Sequence, residues 1–478
     1  MTDDILGGHI EAPDARRKPA TARTLVFTSA QNNTKVHDGF FKSLLMYCEH
    51  RNAELHISRY TYQRTKWNTD GEKPGGIHVD ADSGLWYDER IMPYVSDESL
   101  QITDDLVWCG ELNILPTRVN PLSNLRTYTR QASAVVPHAK MRMVSIPTMK
   151  MHPTKFLYTT GTVTQRNYIQ KVTGQVAEFH HVYGALVVEV DEDGSWWARQ
   201  LNAGSDGSFY DLDRCYDVYS VDTCYPVASL VHGDIHVPKV NKDVLNSVFG
   251  AGGVVDKLKP ENQFFHDLLD FKARNHHNRR DPHFMTEEHN STITSEISMA
   301  HDVLWSAARK WSKLWLVTSN HDMAVLNWLK DSKSVPDNPA NALLWYRMNA
   351  ELLGDPFLNP YEALLRQSPS VKTRYTVVRE DDSVQIAGIE HGIHGHLGPN
   401  GARGTPLNLR DVGKANTGHT HSAGIVDGIY TAGVLGSLDM GYNKGQSSWS
   451  HSSVVTYENG KRAIITAAGP DYKFWRDQ

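Results

Sequence analysis

Five short clusters of Asp, Asn and His follow one another in the second half of the chain, and most of them end an apolar run. They read GDIH (Asp234, His236), HDLLD (Asp267, Asp270), SNHD (Asn320, His321, Asp322), HGIHGH (His391, His394, His396) and GHTH (His419, His421). VASLVHGD and KLWLVTSNHD show the pattern: a strand-length apolar run breaks off at the polar cluster. Side chains at the carboxyl ends of neighbouring strands converge on one crevice. The chain is therefore expected to build a sheet that gathers these clusters. Carboxylate oxygens together with imidazole nitrogens suit divalent transition ions better than calcium.

The first half supplies a different pattern. TLVFTSA (Thr24 to Ala30) reads as a buried strand, Gly39 to Arg51 as a helix, and AELHISRYTY as a second strand. That β-α-β order predicts a parallel sheet. Further strands are expected at DDLVWCG and KMRMVSIP, and a hairpin in GALVVEVDEDGSWWARQL turns at Asp191 to Gly194. Lys155, Thr159, Thr160 and Thr162 suit either a phosphate contact or a solvated strand edge. In the second half, Thr292 to Trp311 carries the clearest helical stripe, and Asn459-Gly460 marks a hairpin turn. The expected organisation is a disordered arm over 1–23, an α/β domain of unassigned role over 24–225, and a motif-bearing domain over 226–478.

Charge and cysteines narrow the function. A net charge of −6 excludes a molecule that is basic overall, so a polyanion must meet a local patch or bound cations. FKARNHHNRRDPHF, between the second and third motifs, is such a patch. Its Arg274, Arg279 and Arg280 are candidates for phosphate contacts, and Arg403 in GPNGARG is another. The four cysteines, Cys48, Cys109, Cys215 and Cys224, form no C-x-x-C pair, and they read as reduced thiols of a cytoplasmic protein. No run of about 20 apolar residues predicts a membrane span.

Taken in order, D-x-H, Asp, N-H-D, H-G and G-H-x-H resemble the calcineurin-like metallophosphoesterase superfamily over about residues 226 to 470. Two flanking glycines of that pattern are replaced, by His266 and by Ser319. The resemblance implies an α/β fold whose carboxyl-terminal part is a β-sandwich flanked by helices. It implies two divalent ions, manganese foremost, with magnesium, zinc or iron as alternatives. Asp267 would bridge them, Asp234, His236 and His421 would complete the first, and Asn320, His419 and a fourth-motif histidine the second. His391 and His394 both fit the H-G step. His394 is preferred because HGHLGPNGARG looks like the form in phage-encoded members, with His396 the remaining alternative. His321 takes the phosphate-facing role, Asp322 is expected to orient it, and Asp270 either orients a ligand or caps a helix. Phage-encoded members with an extra amino-terminal domain imply a metal-dependent nuclease with DNA as substrate. The alternative is a phosphatase or phosphodiesterase for small nucleotides or phosphoproteins. A homo-oligomer is compatible with either.

Overall fold

The structure, a computed structural model, describes residues 18–62, 85–223, 225–272, 281–368 and 373–477. The arm expected over 1–23 falls largely outside these residues, and so do Arg274, Arg279 and Arg280.

A six-stranded sheet organises the second half. Its order is Thr376–Val378, Lys313–Val317, Asn262–His266, Ser229–Val231, Ser452–Thr456 and Arg462–Thr466. The first four strands are parallel, as apolar runs separated by helices require. The last two form the expected hairpin, which turns through Gly460 at φ 71°. Successive side chains of a strand point to opposite faces. Val231, Phe264, Val317, Val454 and Ile464 thus enter one core. Leu230, Phe265, Leu316, Val455 and Ile465 enter another.

Helices cover the second of these cores, and the helix Ile293–Ala307 contributes Ile293, Ile297, Ala300 and Leu304. Thr292 caps it by accepting from the Ser295 amide. This helix stops short of the expected Trp311 because Ala308 is extended, and Trp311 is left exposed.

The opposite core is closed by a ten-stranded sheet that draws on both halves of the chain. Ser99–Thr103, Leu106–Cys109, Ser133–Val136, Lys155–Thr159 and Met143–Ile146 form one side. Gly424–Val426, Ile429–Thr431, Ala415–Thr417, Ile389–Glu390 and Gln385–Ile386 form the other. The seam is an antiparallel pairing of Val144 with Gly424 and Met143 with Ile425. Residue 225 thus lies between strands of the chain, while one sheet runs across it.

A four-stranded sheet holds the predicted β-α-β unit: Arg23–Gln31, the helix Asp38–Arg51 and Ala53–Tyr60, its strands parallel. The hairpin of Gly184–Val190 and Trp196–Asn202 joins it antiparallel, so the sheet is mixed where a parallel one was expected. Lys155 and the threonines take neither expected role. All are buried, and Lys155 Nζ donates to the carbonyls of Arg126 and Arg130, each at 2.7 Å. Cys48, Cys109 and Cys215 are free thiols. Among the described residues no helix is long and apolar enough to cross a membrane. The fold is thus mixed α/β, with several sheets and flanking helices.

Candidate metal centre

The clusters meet where the central strands of the six-stranded sheet end. Ser229–Val231 runs into Asp234 and His236, Asn262–His266 into Asp267, and Lys313–Val317 into Asn320 and His321. The other candidate ligands arrive on loops: His394 follows Ile389–Glu390, and His419 and His421 follow Ala415–Thr417. Gly418 lets this last loop pass close over the site. A Cβ there would lie 2.2 Å from Asp234 Oδ1 and 3.0 Å from the His266 Cβ.

Asp234, His236, Asp267 and His421 converge so that one ligand atom from each lies within 4.8 Å of the others. His421 Nε2 is 3.1 Å from Asp234 Oδ2 and 3.0 Å from His236 Nε2. Asp267 stands in the middle. Its Oδ2 is 3.5 Å from His236 Nε2 on one side and 3.5 Å from His394 Nε2 on the other. Asp234 Oδ1, Asp267 Oδ1, Asn320 Oδ1 and His394 Nε2 are buried with no hydrogen-bond partner in the protein. Orphaned buried polar atoms are costly and rare. These four, on residues of the converging motifs and all able to donate an electron pair, fit divalent cations.

Backbone and charge agree with that fit. His236, Asp267, His419 and His421 all adopt left-handed φ, between 43° and 71°. Non-glycine residues take this conformation at a cost, and such residues concentrate at functional sites. Burial and the neighbouring Asp267 carboxylate push the Asp234 carboxyl well above its usual range. Burial also opposes ionisation of Asp267, but His394, His321 and His236 outweigh it and hold that carboxyl low. Burial brings the His419 and His421 imidazoles down to about 4, leaving them neutral as ligands must be.

The three histidines of the fourth motif differ in their partners. His391 is saturated: its Nε2 meets Ser229 Oγ at 2.7 Å and Asn416 Nδ2 at 3.0 Å, and its Nδ1 donates to the Ile389 carbonyl. His396 turns to Glu380 at 3.1 Å. Only His394 of the three addresses Asp267.

The expected partnership of His321 with Asp322 is corrected. The Asp322 carboxylate folds back on its own turn and accepts from the Ser319 amide and hydroxyl. Ser319, the replacement for a glycine, is thus the partner that turns Asp322 away. Asp270 lies beside His321 and His236. His321 Nδ1 lies 3.0 Å from the Asp270 carbonyl and 3.4 Å from its Oδ1, and the same Oδ1 is 3.3 Å from His236 Nδ1. Burial opposes protonation of His321, yet Asp267 and Asp270 prevail and its pKa is raised. Lys239 adds a cation 3.1 Å from Asp270 Oδ2. His236, Asp270 and His321 also converge closely enough that the three could hold a cation.

Sequence reasoning passed over Glu296. Its buried carboxylate accepts from the amides of Asp270, Phe271 and Lys272 at 2.8, 2.5 and 3.1 Å. The signal was present, since Glu296 interrupts the apolar stripe of its helix beside Ile293 and Ile297. Arg403 is exposed on the loop that follows His394.

No protein-family model matches the chain, and no solved structure matches it. Protein A1 of Escherichia phage T5 is 38% identical over 461 residues, which cover 93% of this chain and 81% of that protein. An alignment of that identity and extent means a shared fold and ancestry. The chain belongs to the family of phage Protein A1.

Proposed function

We propose that the protein is a metallophosphoesterase that hydrolyses the DNA backbone. The supporting observation is the placement of Asp267 Oδ2 at 3.5 Å from a histidine on either side, with orphaned donor atoms around it. Asp234, His236, Asp267 and His421 would hold one divalent ion, and Asp267, Asn320, His394 and His419 a second. Two such ions would supply the charge that clamps an anionic phosphodiester and would acidify water near neutral pH. In this reading the sheets that enclose the apolar core of Val231, Phe264 and Val317 are the metallophosphoesterase sandwich.

The chain's own groups do the rest. His321, fixed through Nδ1 by Asp270, meets the phosphate and gives a proton to the leaving oxygen. Asn320 offers a carbonyl oxygen that adds no charge. Glu296 fixes the backbone that carries Asp270. Arg403 and the arginines at 274, 279 and 280 would hold neighbouring phosphates.

The test is direct. Purified protein is incubated with duplex DNA, single-stranded DNA, RNA and a small phosphodiester, each with manganese, magnesium or EDTA. DNA cleavage with manganese and none in EDTA is the expected result. Turnover of the small ester without DNA cleavage would favour a small-nucleotide phosphodiesterase, and no turnover of any phosphoester would overturn the proposal.

A further inference from the structure

His266 is fully buried, immediately precedes Asp267, and stands where the resembled motif has glycine. Its Nδ1 lies 3.2 Å from the Nδ1 of His394, with the two rings stacked at 5.4 Å between centroids. Two imidazole nitrogens at that distance form a hydrogen bond only if one carries the proton and the other the lone pair. The Nε2 of His394 faces Asp267 and has no hydrogen-bond partner. A nitrogen that binds a cation must present a lone pair, which leaves the proton on the opposite nitrogen of the ring. His394 Nδ1 is then the donor and His266 Nδ1 the acceptor.

We propose that His266 is a positioning residue for the second ion: it fixes the tautomer and ring angle of His394. This rests on the two-ion reading above. Stability does not account for His266. With its Nδ1 accepting, its Nε2 must carry a proton, and that atom is buried without a partner. An aliphatic side chain would only move the orphan to the Nδ1–H of His394, so hydrogen bonding alone favours neither residue. The two sites also differ in kind. His236 is backed by the Asp270 carboxylate, whereas His394 is backed by a neutral imidazole. Outer partners of ligating histidines orient the ring and tune its basicity.

The test is titration calorimetry of the metal-stripped full-length protein with Mn2+, comparing wild type, His266→Leu and His266→Asn. The amide oxygen of Asn can occupy the place of Nδ1 and accept the same proton. His266→Leu is expected to keep the first binding step and to weaken the second by tenfold or more. His266→Asn is expected to restore most of that loss. Should the Leu variant fail to fold, His266→Gln replaces it, because its longer side chain cannot place an acceptor at the same point. An unchanged second step in the Leu or Gln variant would overturn the inference, and so would an Asn variant no better than they are. A wild type that takes up fewer than two ions would overturn the two-ion reading itself, and this inference with it.

Discussion

Asp267 stands between His236 and His394, and in the proposed two-ion reading it would couple both ion positions. Asp267→Asn removes its charge at almost constant volume. It is expected to lower the uptake of both ions and to abolish turnover, with the fold retained by circular dichroism. Two ions and full activity in that variant would dissolve the bridging assignment. His321→Ala should behave differently: unchanged metal content and a rate lower by about a hundredfold or more. Metal loss in step with activity would make His321 a ligand instead. The convergence of Asp234, His236, Asp267 and His421 was legible because each sits in an ordered motif that follows a strand. Direction was not. Sequence adjacency suggested that Asp322 serves His321, but a carboxylate three residues from a serine can also close its own turn, and it does. The choice among His391, His394 and His396 likewise depended on partners remote in sequence, Ser229 and Asn416.

At the scale of elements, strands with long apolar runs were readable, and so was the β-α-β unit. The two-residue strands Gln385–Ile386 and Ile389–Glu390 were not, because each is too short for a period of two to show in the segment DSVQIAGIEHG. It is a tight hairpin, turned by Ala387 and Gly388 at φ 50° and 73°. The basic segment between the second and third motifs yields its own prediction. Replacing Arg274, Arg279 and Arg280 by Ala should weaken DNA binding and flatten its salt dependence by roughly one counterion for each lost contact. Hydrolysis of a small phosphodiester should be little changed. Equal loss on both substrates would place the damage at the metal centre and remove this segment from DNA binding. Lys272, at its amino-terminal end, pairs with Glu288, so the arginines carry the argument.

Across the whole molecule, stability should depend on pH through buried imidazoles that are not among the candidate ligands. Burial pushes His138 down to about 4, against 6.5 in an unfolded chain. The unfolded chain therefore takes up this proton first. The contribution is complete above 6.5 and is lost as pH falls toward 4. Between pH 7 and 5 the loss from His138 is roughly 2 kcal/mol. In His138→Asn, which keeps an acceptor for the Lys140 amide, the fall in unfolding free energy should be smaller by that amount. Identical falls in the two proteins would show that the folded state accommodates the charged imidazole.

The strand pairing of Val144 with Gly424 has a thermodynamic consequence. The loop that carries His419 and His421 leaves the strand Ala415–Thr417 and ends at that pairing. An ion that held this loop would also fasten a strand from the first half of the chain. Ligand binding to a folded state stabilises by about 2.7 kcal/mol at a hundredfold excess over Kd. Here that free energy should reach every residue the sheet unites. Calorimetric scans are expected to show one transition that moves upward as a whole when manganese replaces EDTA. Two transitions, of which only one moved, would mean that the halves unfold independently. Residues 226–478 expressed alone should lack the pairing for Gly424–Val426 and melt lower even with the ion, because the lock would then have only one leaf of its door.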